Sequence, residues 1–276
     1  MNHINCLPIN IKGYTSWDKF DPCAYVCQNY QRMMPEDHQI ISIISNELRC
    51  MDIPLNHFNI VGDIGTGPNL YPGMLIAPYV SETGHIEFIE PALPNRNYLI
   101  KIFNNSSVYD HVLLKKNWCK YESEIIGLCG NIYKNALKRL HHLVKIKNGS
   151  IYDLPGNKYE FVSSYFVAES ISDSYDQFLF ALKKIVNSAV KGGIIVTTHM
   201  LHSEGYQAGK NTKFPAVKIS LDQLEESLIK TGLNQANFKI WNISTKEPAE
   251  KVREGYQGMA VVLAVKQFST DKIFVE

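Results

Sequence analysis

The sequence predicts an α/β protein with a doubly wound, mostly parallel seven-stranded sheet, an antiparallel edge strand and an N-terminal helical flap. Three observations carry that prediction. Short apolar segments alternate with amphipathic ones along most of the chain, as strands joined by crossover helices do. A Gly-x-Gly turn, Gly65-Thr66-Gly67, closes the first apolar segment. The last two strand-like segments follow one another without a helix between them, which calls for antiparallel pairing at an edge.

Residues 1–34 place Tyr14, Trp17, Phe20, Tyr25 and Tyr30 among polar residues, too aromatic for a disordered tail. Residues 36–51 read as an amphipathic helix with Ile40, Ile43, Ile44 and Leu48 on one face. Residues 1–52 are therefore read as a flap and helix over a binding site, and 53–276 as one globular unit. The first strand is 57–64. A helix over 69–80 follows, its geometry disturbed by Pro72 and Pro78. Residues 86–90 form the second strand, 95–142 a long helical stretch, 143–147 the third strand and 159–167 the fourth. A helix over 175–190 carries Phe178, Leu179, Leu182 and Val186 in register, and Lys191-Gly192-Gly193 stops it before a fifth strand at 194–198. A helix at 221–231 ends at Gly232, and strands at 238–243 and 260–266 complete the sheet.

Composition narrows the function classes. The 276 residues carry a formal net charge of +1 and are 45% hydrophobic, enough for one sizeable core. The basic residues are scattered, with short clusters only at Lys115-Lys116 and Lys138-Arg139, so no nucleic-acid face is expected. No apolar run approaches the roughly 20 residues that span a bilayer, and no membrane partner is expected. The start, MNHINCLPIN, lacks a signal-peptide pattern, and the six cysteines form no CxxC pair, which together point to a reducing, cytoplasmic location. Cys and His do not cluster at ligand spacing, and His141-His142 are adjacent on a helix, so no metal site is expected.

In open α/β sheets the ligand lies beyond the carboxyl ends of the strands, where Asp63-Ile64-Gly65-Thr66-Gly67-Pro68 falls. Glycines there allow close backbone approach. Glu90 ends the next strand and can accept both hydroxyls of a ribose. A dinucleotide fingerprint would need a third glycine where Leu70 stands, and Asp63 would repel a pyrophosphate. The same carboxylate suits the ammonium of a methionine-type ligand.

Asp63 to Pro68 with Tyr71 resembles the first motif of class I methyltransferases. More narrowly, the chain resembles the nicotinamide/phenylethanolamine/indolethylamine N-methyltransferase family and its bacterial relatives. Four further stretches carry that likeness: Phe20-Asp21-Pro22-Cys23-Ala24-Tyr25 with Tyr30; Glu90-Pro91-Ala92-Leu93-Pro94-Asn95; Glu169; and Gly205-Tyr206-Gln207-Ala208-Gly209 with Phe214-Pro215. The resemblance covers roughly residues 17–265 and implies a Rossmann-like fold, S-adenosyl-L-methionine as cofactor and a small-molecule acceptor methylated at nitrogen. It implies that Tyr25, Tyr30 and Tyr71 contact the methionine end, that Gly65, Thr66 and Gly67 border the cofactor, that Glu90 and Asn95 bind the ribose, and that Ser150 and Ile151 flank the adenine. Three positions depart from the mammalian pattern. Glu90 and Ser150 each stand where an Asp is usual, and His199 occupies the position at which the nicotinamide branch has an Asp, which argues against nicotinamide as acceptor.

Methyl transfer from a sulfonium is an in-line displacement that needs alignment and exclusion of water more than a strong acid or base. Glu169 and His199 are the candidates to orient or deprotonate an amine acceptor, as catalytic and substrate-binding residues, and Tyr206 is the candidate pocket wall. Two other functions fit the same features, a non-catalytic S-adenosylmethionine- or nucleotide-binding regulator and an O-methyltransferase of a small metabolite.

Overall fold

A computed structural model of the chain describes residues 14–103, 109–244 and 255–267. Residues 1–13, 104–108, 245–254 and 268–276 lie outside the described residues. Seven strands form one sheet: β1 (Phe58–Ile64), β2 (Val80–Ile89), β3 (Val144–Lys147), β4 (Tyr159–Tyr165), β5 (Ala189–Leu201), β6 (Phe238–Ile243) and β7 (Gly258–Val265). Their order is β3-β2-β1-β4-β5-β7-β6. The first five are parallel, and β7 runs against both β5 and the edge strand β6. The chain reverses its direction of strand addition between β1 and β4, so the crevice of this doubly wound sheet opens above those two strands.

Helices cover both faces. On one side lie α1 (Pro22–Asn29), α2 (Pro35–Cys50), α3 (Tyr71–Ile76), α4 (Leu93–Phe103), α5 (Tyr109–Cys129) and α6 (Ala136–Leu143). On the other lie α7 (Tyr175–Ser188) and α8 (Leu221–Lys230). Strand parity sorts the core accordingly. Val61, Val196 and Met200 pack in the cluster that contains Ile40, Ile44 and Leu48 of α2, whereas Ile64, Ile195 and Leu201 join Phe178, Leu182 and Ile185 of α7. Because α2 packs into the main core, the flap that precedes it is anchored to the sheet.

Three boundaries differ from the sequence reading. The predicted helix over 69–80 shortens to α3 and a 3₁₀ turn at Ala77–Tyr79, because Val80 already pairs with Phe58. The predicted helix over 175–190 ends at Ser188, and Lys191-Gly192-Gly193 lies within β5 instead of capping α7. Gly192 has φ +79°, and the β4–β5 register shifts between the Tyr159↔Ala189 and Phe161↔Ile194 pairs, so the glycines make a bulge. The long helical stretch over 95–142 is α4, α5, a 3₁₀ turn at Asn131–Tyr133 and α6, with residues 104–108 outside the described residues.

A buried acid sits at the start of α2. Asp37 accepts a hydrogen bond on Oδ2 from the Tyr121 hydroxyl at 3.1 Å, and burial pushes its carboxyl up to about 7. An unfolded Asp titrates near 3.9, so between about pH 4 and pH 7 the unfolded chain sheds a proton that the folded chain keeps. Stability from this group is thus complete below that window and lost as pH rises through it. Asp37→Asn, which keeps an acceptor for Tyr121, raises the thermal midpoint at about pH 8, and the gain shrinks toward zero by about pH 4. A midpoint at pH 8 equal to or below that of the unsubstituted protein contradicts this assignment.

Candidate active site

The β1 exit turn builds one side of the site. Gly65 and Gly67 take φ +68° and +57°, left-handed values that a side chain disfavours. A Cβ on Gly65 would also meet Val167 Cγ1 at 2.5 Å, whereas one on Gly67 would meet nothing closer than 3.9 Å, so at Gly67 the turn faces open space. Thr66 donates to the Asp63 carbonyl at 3.0 Å. Glu90, one residue past β2, closes the turn: Oε2 accepts from the Gly67 N–H at 2.8 Å and Oε1 from the Ala92 N–H at 2.7 Å. Burial raises the Glu90 carboxyl, and these two N–H groups with Asn95 and Arg96 oppose that rise.

Two buried acceptors around this turn lack partners. Asp63 Oδ1 accepts from the Ser163 hydroxyl at 2.6 Å, but Oδ2 carries no hydrogen bond, and neither does Asn95 Oδ1. Burial pushes the Asp63 carboxyl up to about 6. Orphaned buried acceptors are uncommon, and a donor from a bound molecule is one group that can satisfy them. An ammonium and a pair of ribose hydroxyls are donors of the kind these positions would take.

Opposite the turn stands the aromatic flap. Trp17 stacks on Phe214 with centroids 4.7 Å apart, Phe20 lies 5.3 Å from Phe214 and 5.2 Å from Tyr25, and Tyr25 lies 6.0 Å from Tyr30. Tyr206 pairs with Phe214 across an isolated bridge and stacks on it at 5.4 Å. Backbone bonds from Thr15 to Lys213 (2.6 Å) and from Asp21 to Ala208 (3.3 Å) fasten the flap to this loop. The flap is closed over the sheet crevice.

Between turn and flap lies a cavity that is partly open to solvent. It brings together ten of the residues singled out in the sequence. Gly65, Thr66, Gly67, Glu90 and Asn95 line its β1–β2 side, Ser150 and Ile151 the side after β3, and Tyr25, Tyr30 and Tyr206 its cover. Asp63 and Tyr71 lie behind this wall, Tyr71 fully buried with its ring 6.1 Å from Tyr30.

Glu169 and His199 are brought to each other and not to the cavity lining. They are 0% and 1% exposed, and His199 Nδ1 lies 3.0 Å from Glu169 Oε2. Strand parity explains this departure from the expected substrate contact. His199 shares a face of β5 with Ile195 and Leu201, so it points under α7, where its ring is 5.9 Å from Phe178. Three lining residues that the sequence reading passed over, Tyr165, Phe166 and Val167, sit at the β4 exit, with Phe166 at φ +59°. Their signal was position alone, the end of the strand beside the topological switch.

Among the described residues no group of three or more His, Cys, Asp or Glu could hold a metal, and no helix is long and apolar enough to cross a membrane. Two solved structures share the fold. One is a candidate sarcosine dimethylglycine methyltransferase from Galdieria sulphuraria, 13% identical, with a TM-score of 0.51 over 83% of this chain and 86% of that one. The other is the CurJ carbon methyltransferase, 11% identical, with a TM-score of 0.52 over 91% of this chain and 62% of that one. At such identities the likeness concerns the fold alone. No curated protein matches the sequence at a significant level. The family model of the NNMT/PNMT/TEMT family matches residues 9–267, which covers the flap, the glycine turn, Glu90 and the Tyr206 loop together. The chain belongs to that family, and is an S-adenosylmethionine-dependent methyltransferase.

Proposed function

We propose that the chain methylates a small molecule at an amine or heteroaromatic nitrogen inside this cavity. The observation that carries this reading is the aromatic cover fastened over a crevice that Asn95 lines and Asp63 backs, each with one orphaned acceptor. Glu90 and Asn95 would hold the cofactor's ribose, Asp63 its ammonium, Tyr25 and Tyr30 its methionine end, and Ser150 with Ile151 its adenine. Bound there, S-adenosylmethionine supplies an electrophilic methyl group. The residues of the chain do the rest by alignment, which contributes on the order of 7–11 kcal/mol in well-positioned reactions. Trp17, Phe20, Tyr25 and Tyr206 keep water from the reacting atoms and offer ring faces to a flat acceptor.

The lining also argues about charge. Among the described residues it carries no Lys, Arg or His, and its one acid, Glu90, is engaged by Gly67 and Ala92. An acceptor bearing a phosphate or carboxylate would enter without a counter-charge, so an uncharged acceptor suits the site better. Such a nitrogen attacks with its own lone pair and needs no base of its own in the cavity.

Two measurements test this reading. Asp63→Ala and Glu90→Ala each weaken S-adenosylhomocysteine binding in calorimetry by about tenfold or more, while circular dichroism stays native. Unchanged affinity in both variants removes the assignment. Second, the ammonium needs an ionised Asp63, whose carboxyl stands at about 6 before binding. Affinity therefore rises as pH increases through about 6 and is lower below it, and Asp63→Asn flattens that dependence. A pH profile that Asp63→Asn leaves unaltered counts against the ammonium contact.

A further inference from the structure

We propose that Glu169 and His199 are positioning residues that lock the two loops at the acceptor end of the cavity. The inference rests on the reading of that cavity as the site of methyl transfer. The β4–β5 ladder ends at Tyr165↔Thr198, with the Phe166 N–H donating to the Thr198 carbonyl at 2.8 Å. One residue pair further on, the Met200 N–H meets Glu169 Oε1 at 3.0 Å, so a carboxylate takes over where β4 has turned away. The other oxygen, Oε2, holds His199 Nδ1, and His199 Nε2 lies 2.8 Å from the Thr197 hydroxyl. The Glu169 carbonyl accepts from the Val217 N–H at 2.8 Å.

One residue thereby ties three segments. The turn after β4 carries Phe166, Val167 and Ile171 into the cavity wall. The end of β5 leads into the loop that presents Tyr206, and Val217 lies on the return of that loop. Glu169 is not among the lining residues, yet it sets the separation of the two walls between which an acceptor would lie.

This role makes a demand that substrate contact does not. With an ionised Glu169 the ring is assigned a proton on Nδ1, and Nε2 accepts from Thr197. A glutamine at 169 satisfies the same network. Its amide oxygen accepts from the Met200 N–H, and its NH₂ donates to Nδ1 once the ring proton moves to Nε2 and faces the Thr197 oxygen. An alanine leaves a buried N–H and a ring nitrogen without partners. Hydrogen bonding should therefore suffice, and charge should not matter.

The experiment compares the full chain with Glu169→Gln and Glu169→Ala, using S-adenosylhomocysteine as cofactor probe and quinoline, a flat neutral nitrogen base, as acceptor probe. Quinoline binding to the S-adenosylhomocysteine complex is read by tryptophan quenching, and amide exchange is followed over residues 199–217. In Glu169→Ala, exchange quickens and quinoline affinity falls, each about tenfold, while S-adenosylhomocysteine affinity stays within about threefold. Glu169→Gln restores both to within about threefold of the unsubstituted chain. Should Glu169→Ala fail to fold, Glu169→Gln decides alone. A glutamine variant that loses quinoline while its exchange stays native would show that the charge acts on the acceptor, and would overturn the proposal. So would an alanine variant unchanged in both readouts. An unsubstituted chain that binds S-adenosylhomocysteine but not quinoline refutes the neutral-acceptor reading and leaves the exchange comparison to judge the lock. One that binds neither refutes the cofactor assignment.

Discussion

The site depends on the bond from the Gly67 N–H to Glu90 Oε2, 2.8 Å long, which joins the exit of β1 to the exit of β2. The turn can present that N–H only because Gly65 and Gly67 both adopt left-handed backbone angles, and because the missing Cβ of Gly65 leaves room for Val167. Glu90 is fixed in turn by the Ala92 N–H. Backbone geometry and one acid thus shape a concave, polar rim at the topological switch of the sheet, and the remaining walls are hung around it.

The cover uses different physics. From Trp17 to Tyr30 the flap contributes large rings at low rotameric cost, and rings of this segment pack edge and face against Phe214 and Tyr206. Its backbone is held by few hydrogen bonds, those to Ala208 and Lys213 among them. A cover joined largely by ring contacts suits a lid over a binding site. The rim, by contrast, is held by backbone N–H groups bonded to the Glu90 carboxyl.

The polar interior is divided by strand parity. Asp63 faces the flap side, on the same side of β1 as Val61, and keeps one oxygen free. His199 faces α7, where Glu169 and Thr197 occupy both ring nitrogens. Two acids near the same crevice therefore differ in role. One is left short of a donor, and the other is fully engaged.

Much of this was legible in the chain. Apolar periodicity marked the seven strands and the principal helices, since burial on one face imposes a spacing that survives in sequence. The glycine turn, Glu90 and the aromatic run from Trp17 to Tyr30 were visible in the residues themselves, and Asn95 through the family resemblance. Their convergence on one cavity follows from the strand order of a doubly wound sheet, the class of sheet that the alternation of elements implied. Tertiary structure decided the rest. Whether Lys191-Gly192-Gly193 would cap a helix or bulge a strand depended on a partner in β4, because a glycine permits both. Whether His199 would meet a substrate or Glu169 depended on which face of β5 it occupied, and one residue of register reverses that face. Residue identity sets what a side chain can do; only the register of the finished sheet sets which neighbour it does it with.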